Sequence, residues 1–191
     1  MNIYLVRHTR PDIPLSICYG RSDVGLSDDF KEVSGKIARY FECMDDFRLY
    51  ASPLSRCLRL AEKIRHRPPL TDDRLMEMDM GAWEGVAWDA IERKEMDAWA
   101  RDMVNFRTPG GESLQMLFDR STACFSEITR QNGTDIVIVT HSGVIRCVLA
   151  HVLELPPGMI FRFHIDFGGI SIISFDHGRF QISGVNITAL Q

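Results

Sequence analysis

Short apolar runs separated by longer segments of mixed polarity set the pattern of this chain. The short runs are residues 3–6, 47–52 and 135–140. Runs of this length and composition predict buried strands. Apolar positions recur at helical spacing in longer segments, over residues 28–44, 91–100, 113–131 and 144–152. Strands that alternate with helices are typical of an α/β fold, so we predict a three-layer α/β/α arrangement around a mostly parallel central sheet.

Individual residues sharpen the boundaries of these elements. Ser52 is predicted to cap a helix whose first residue is Pro53, and Ser113 is predicted to cap the helix that follows it. Residues 161–167 alternate between apolar and polar side chains, which indicates a strand. Further on, two apolar runs flank Asp-His-Gly at 176–178, and this pattern predicts a tight hairpin.

Composition indicates a soluble globular protein, and we interpret residues 1–191 as a single domain. Hydrophobic residues make up 45% of the chain and charged residues 25%, which is enough apolar material for a core. The net charge of -4 argues against a nucleic-acid partner, and the apolar runs are too short to cross a membrane. Five cysteines without a CxxC pair predict reduced thiols and a cytoplasmic location. The N-terminal residues run directly into a short predicted strand, so we expect no signal peptide. The oligomeric state stays open, a homodimer included.

Two histidines follow directly on predicted strands. His8 comes just after residues 3–6, and His141 comes just after residues 135–140. Ligands of parallel sheets bind beyond the carboxyl ends of the strands, so we expect both imidazoles in one crevice. Ser52 and the helix behind it follow a third strand to the same edge.

Positive charge accompanies these histidines. Arg7 precedes His8 directly, and Arg56 lies near the start of the helix after Ser52. A helix N-terminus offers free backbone N–H groups and the positive end of a dipole. Guanidinium groups bind phosphate through paired hydrogen bonds. We therefore predict a phosphate-binding site at this edge of the sheet.

Two other kinds of site use similar residues. A metal centre needs histidines and carboxylates, but neighbouring arginines repel a cation, so we predict no metal. A serine-hydrolase elbow around Ser142 needs the motif G-x-S-x-G. Thr140 and Val144 stand where both glycines belong, which excludes the elbow.

One carboxylate is a candidate acid. Glu77 lies among leucine and methionine side chains, and burial in such surroundings favours the protonated form that a general acid needs. Asp79 and Glu84 in the same stretch are interpreted as solvated loop carboxylates.

An ordered set of motifs resembles the histidine phosphatase superfamily, whose fold is that of the phosphoglycerate mutases. The set is "LVRHTRP", "SPLSRCLRLA", "RLMEMDMGAWEG", "PGGES" and "VTHSGVIR". Thr9 stands where the superfamily most often has glycine. Within the superfamily, "RHTRP" followed by "ICYGRSDVGLS" is similar to the alpha-ribazole phosphatases of cobalamin biosynthesis.

The resemblance, together with the needs of phosphoryl transfer, implies a role for each candidate residue. His8 would attack phosphorus and form a phosphohistidine, with the transition state stabilised by Arg7, Arg56 and His141. Glu77 would protonate the leaving oxygen. Three further residues would contact the substrate: Arg21, Ser142 and Ser113. The implied substrate is a small-molecule phosphate ester, alpha-ribazole 5'-phosphate, and no cofactor is implied.

Other functions remain compatible with the same residues. A broad-specificity phosphatase or a phosphoglycerate mutase-type enzyme would use the same phosphohistidine chemistry. A non-catalytic module that binds phosphorylated ligands is disfavoured, because binding alone needs neither a nucleophile nor an acid. Tyr19, Trp83 and Trp88 are candidates to stack on a base, although core packing is the commoner use of both tryptophans.

Overall fold

A central sheet of six strands organises the part of the chain that the computed structural model describes, residues 1–44, 46–130 and 133–189. The strands are β1 (Asn2–Arg7), β2 (Phe47–Ala51), β3 (Leu70–Thr71), β4 (Asp135–Thr140), β5 (Ile170–Asp176) and β6 (Arg179–Ile187). Their order is β3-β2-β4-β1-β5-β6. The pairs β3–β2, β2–β4 and β4–β1 are parallel, and β5 and β6 add an antiparallel edge.

Helices cover both faces of this sheet. The helices are α1 (Phe30–Phe41), α2 (Ser55–Ile64), α3 (Arg93–Arg101), α4 (Leu114–Thr129) and α5 (Ser142–Val152). Helices α1 and α2 pack on one face through a buried apolar cluster, and α4 and α5 pack on the other through a second cluster. Strand β4 is buried from Ile136 onward, as a central parallel strand covered on both faces must be. The predicted three-layer α/β fold is confirmed.

Most predicted boundaries are met within a few residues. Ser113 caps α4, since its Oγ accepts a hydrogen bond from the backbone N–H of Met116. The hairpin between β5 and β6 turns at His177 and Gly178, whose positive φ angles of 47° and 79° suit a two-residue turn. Gln131, the expected end of α4, lies outside the described residues.

Two local predictions are wrong. Helix α2 begins at Ser55 with Leu54 as its N-cap, so Pro53 is not helical and the Ser52 side chain is not the cap. Residues 161–167 form no strand, because a 3₁₀ helix spans Pro157–Arg162 and the chain then runs irregularly along the sheet edge. Their alternation reflects packing beside the site, while β5 occupies the place next to β1.

A cap lies over the carboxyl edge of the sheet, built from the segments 14–20 and 78–106. The two segments are joined by backbone hydrogen bonds between Cys18 and both Gly85 and Val86. A third apolar cluster, separate from the two beneath the helices, holds the cap together around Trp83. None of the helices in the described ranges has the length and apolarity needed to cross a membrane.

Candidate active site

His8 lies directly beyond β1 and is only 2% exposed. Its Nδ1 is 2.7 Å from the carbonyl oxygen of Thr9. A carbonyl can only accept, so we assign the proton to Nδ1, which leaves the lone pair of Nε2 free. Burial, together with the charges of Arg56 and Arg7, holds the pKa of His8 well below its ordinary value. His8 is therefore neutral at physiological pH, the form in which an imidazole has a free lone pair.

Arg56 brings a buried positive charge beside His8. Its side chain is fully buried and donates to the carbonyl oxygens of Ser22 at 2.8 Å and Gly20 at 2.6 Å. Its Nε has no hydrogen-bond partner among the described residues, and no carboxylate there pairs with it. A buried guanidinium without a counter-ion is costly, so this arrangement favours an anion as the missing partner.

Arg7 supplies a second guanidinium at the end of β1. It donates to the carbonyl oxygen of Ile165 at 2.6 Å, and its guanidinium carbon lies 3.6 Å from the centre of the Phe167 ring. Its Nε is also buried without a partner in the described chain. These contacts fix the group in place while leaving donor capacity unused.

His141 lies beyond β4, as the N-cap of α5. Its ring centre is 5.0 Å from that of His8, so the two imidazoles do share one crevice. The Nε2 atom is 2.8 Å from the hydroxyl of Ser52, and Nδ1 is buried without a partner in the described residues. Burial, the interaction with the nearby titratable ring of His8 and the positive charges of Arg56 and Arg7 lower the pKa of His141 well below normal.

Glu77 stands on an irregular segment beside the first turn of α5. Its carboxylate accepts backbone hydrogen bonds from Met78 at 3.0 Å and from Gly143 at 3.1 Å. Apolar side chains surround it, as the sequence predicts, but the carboxylate is half-buried and the two backbone N–H groups compensate part of its lost hydration.

An apolar cavity of about 290 Å³ connects these groups to the surface. Arg7, His8, Glu77 and Ser142 line its polar end. Aromatic and sulfur-containing side chains line the rest, among them Tyr19, Trp88, Trp99, Met103 and Phe161. Arg56 and His141 lie outside this lining, beside His8. Trp83 is only 3% exposed and belongs to the cluster that holds the cap together.

Two of the predicted substrate-contacting residues lie elsewhere. The Arg21 side chain donates to Glu112 at 3.1 Å and does not line the cavity. Ser113 caps α4 and is likewise absent from the lining. Ser142 does line the cavity, one residue after His141.

Sequence reasoning missed two residues of this region. Arg146 lines the cavity, and its Nε is buried without a partner among the described residues. Its place one helical turn after Ser142 was the available signal. Glu84 is not a solvated loop carboxylate, because it accepts backbone hydrogen bonds from Arg21 at 2.8 Å and Ser22 at 2.6 Å. It therefore organises the loop whose carbonyl oxygens hold Arg56. In the described ranges, no group of three or more histidine, cysteine, aspartate or glutamate side chains is placed to hold a metal ion.

The mostly parallel six-stranded sheet, with helices on both faces and two buried histidines beyond the ends of its strands, has the phosphoglycerate mutase-like fold. The family model for the histidine phosphatase superfamily (branch 1) matches residues 3–188. The chain belongs to this superfamily.

Known proteins resemble the chain over nearly its whole length. A probable phosphoglycerate mutase GpmB from Salmonella paratyphi C is 29% identical over 194 residues, which cover 96% of this chain and 89% of that protein. The alpha-ribazole phosphatase from Shigella flexneri superposes with a TM-score of 0.91 at 22% identity, covering 100% of this chain and 98% of that one. A putative alpha-ribazole-5'-P phosphatase from Escherichia coli gives 0.91 at 21% identity, with the same coverage. At these identities, the two structures show a common fold.

Proposed function

We propose that this protein is a metal-independent phosphomonoesterase that hydrolyses alpha-ribazole 5'-phosphate to alpha-ribazole and phosphate through a phosphohistidine on His8. The observation that carries the proposal is the neutral His8, with Nε2 free, beside the buried and unpaired guanidinium of Arg56. Superfamily membership and the apolar cavity above His8 support it further.

In the first step, His8 Nε2 attacks the phosphorus in line and a P–N bond forms as the P–O ester bond breaks. Arg7, Arg56 and His141 stabilise the charge that builds on the phosphoryl oxygens, and each well-placed donor contributes about 3 kcal/mol. Glu77 acts as the general acid and gives a proton to the leaving ribose oxygen. The alcohol departs through the apolar cavity.

In the second step, water attacks the phosphohistidine. Glu77, now a carboxylate, takes a proton from the water as the new P–O bond forms and the P–N bond breaks. Inorganic phosphate leaves and His8 returns to its neutral form. The cations needed for this chemistry come from the chain itself, so the proposed reaction requires no metal.

The cavity favours a large apolar leaving group over a small anionic one. Tyr19 and Trp88 present aromatic rings that suit a substrate carrying a planar base. Beyond the phosphate end, Arg146 is the one cationic side chain among the lining residues of the described chain. Phosphoglycerate carries a carboxylate close to its phosphate. An apolar cavity wall offers such a charged group few hydrogen-bond partners.

A phosphoglycerate mutase-type activity is the second candidate, because the probable phosphoglycerate mutase GpmB is similar over 96% of the chain. A mutase would return the phosphoryl group to a sugar acid rather than to water.

The five free thiols fit a reducing compartment such as the cytoplasm.

Phosphate release measured with a chelator present tests the proposal. The substrates are alpha-ribazole 5'-phosphate, 3-phosphoglycerate, a mononucleotide and p-nitrophenyl phosphate. We expect the highest kcat/KM for the ribazole ester and no turnover with the matched variant His8→Asn. Similar, slow rates on all four esters would instead indicate a broad-specificity phosphatase.

A further inference from the structure

The segment that carries Glu77 has little regular structure of its own. Only a short 3₁₀ turn at Asp73–Leu75 precedes Glu77, and residues 76–80 belong to no helix or strand. A general acid must stay within hydrogen-bond reach of the leaving oxygen, so its backbone needs support from elsewhere in the fold.

Arg120, on helix α4, provides that support. Its Nη1 donates to the carbonyl oxygens of Arg74 and Met76, both at 2.7 Å, and its Nη2 donates to the carbonyl oxygen of Glu77 at 2.9 Å. The side chain is only 14% exposed, so these bonds are shielded from water. A single guanidinium thus holds three carbonyl groups of the segment, including that of Glu77.

Glu112 holds the other end of the segment. Its two carboxylate oxygens accept from Arg120 at 2.8 and 2.9 Å, and one of them also accepts from the backbone N–H of Asp79 at 3.0 Å. Burial raises the pKa of Glu112, but hydrogen bonds from Arg120 and from Asp79 outweigh it, so the net shift is downward. Glu112 is therefore ionised at neutral pH and pairs with Arg120 as a charged partner.

The sequence "PGGES" explains how Glu112 comes so close to the segment that carries Glu77. A Cβ on Gly111 would lie 2.3 Å from the carbonyl oxygen of Asp79 and 2.7 Å from the backbone N of Gly81. Glycine at 111 therefore allows the two backbones to touch, and the next residue delivers its carboxylate to the Glu77 segment.

We propose that the buried Arg120–Glu112 ion pair is a positioning device for Glu77, which it holds at the leaving oxygen. The proposal rests on the acid role given to Glu77 under the proposed function. It assigns no contact with substrate to Arg120 or Glu112. Their effect on the reaction passes through Glu77 alone.

Leaving-group dependence tests this proposal. A p-nitrophenolate leaves without a proton, whereas a ribose alkoxide needs one. We expect Arg120→Met to lower kcat/KM for alpha-ribazole 5'-phosphate by about 100-fold and for p-nitrophenyl phosphate by less than about threefold. Arg120→Lys and Glu112→Gln, which perturb folding less, should show the same selectivity at smaller size. The control Arg107→Met removes the hydrogen bond from Arg107 to the carbonyl oxygen of Gly111, next to Glu112. It should change kcat/KM little for either ester.

A double variant separates positioning from a general structural role. If Arg120 acts through Glu77, Arg120→Met adds no further loss to Glu77→Gln on the ribazole ester. The proposal would be overturned if the losses in kcat/KM of the two single variants multiplied in the double variant. It would also be overturned if Arg120→Met lowered kcat/KM equally for both esters. If Glu77→Gln by itself slows both esters equally, the acid role of Glu77 fails, and that result concerns the proposed function rather than the ion pair.

Discussion

A substitution at Gly143 can move the Glu77 carboxylate without changing any charge in the site. Gly143 lies in the first turn of α5 and donates its backbone N–H to Glu77 Oε2. A Cβ at this position would lie 2.2 Å from Glu77 Oε1 and 3.1 Å from the Cδ of Glu77. Gly143→Ala therefore forces the carboxylate to retreat.

The structure sets the size of the effect. Restoring ordinary van der Waals contact requires a shift of about 1 Å, and a misplacement of that size costs about 100-fold in rate, or about 2.7 kcal/mol. The displaced atoms are the end of a flexible side chain, so folding changes little. Alanine also has a better helix propensity than glycine, by up to about 1 kcal/mol. We expect a free energy of unfolding within about 1 kcal/mol of the wild type.

The assay compares kcat/KM on an alkyl and an aryl phosphate ester. Gly143→Ala should lose about 100-fold on alpha-ribazole 5'-phosphate and little on p-nitrophenyl phosphate. The matched control is Gly35→Ala, at a helical glycine in α1 with no atom within 4 Å of the added Cβ. Full activity of Gly143→Ala on the alkyl ester, or equal losses on both esters, would refute the reasoning about Glu77.

Four further predictions follow from the site. Arg56→Lys keeps the positive charge but loses the paired N–H donors of the guanidinium group. It should lower kcat/KM on every ester by about 150-fold, as one lost donor of about 3 kcal/mol implies. Ser52→Ala removes the hydroxyl bound to His141 and should cost about tenfold in kcat, read by steady-state kinetics on p-nitrophenyl phosphate. Trp88→Leu should raise KM about three- to tenfold for the ribazole ester and leave methyl phosphate unaffected. Because the pKa values of His8 and His141 are lowered in the folded chain, the unfolded chain takes up protons first, and stability falls as pH drops below about 6.5, by up to about 1.4 kcal/mol per pH unit for each histidine. Denaturant unfolding at several pH values measures this slope, and His8→Asn should halve it.

The sheet and the edge that carries the candidate site could be predicted because their signals are local. Buried parallel strands appear as short apolar runs, and β1 and β4 are each followed directly by a histidine. Once parallel pairing is assumed, the edge where His8 and His141 meet follows from the geometry of the fold. Those two rings indeed lie 5.0 Å apart.

The errors concern contacts between residues far apart in the chain. Ser52 has the sequence context of a helix cap, but α2 begins only at Ser55, and besides a long hydrogen bond of 3.4 Å from the N–H of Leu54 the Ser52 hydroxyl contacts His141, which lies 89 residues away. Arg21 stays a predicted substrate contact, and the structure adds a hydrogen bond from its guanidinium to Glu112, 91 residues away. Residues 161–167 alternate because the Ile165 side chain joins a buried apolar cluster and the Phe167 ring packs against Arg7, not because they enter the sheet. Local pattern cannot specify such pairings.

Trapping the phosphorylated protein tests most directly whether His8 is a covalent nucleophile. The protein is mixed with p-nitrophenyl phosphate, quenched rapidly in denaturant at alkaline pH, digested and mapped by mass spectrometry. We predict one phosphoryl group on the peptide that contains His8, stable to base and lost in acid, and none in His8→Asn. No covalent phosphate under turnover, or a phosphoryl group that persists in His8→Asn, would contradict the account.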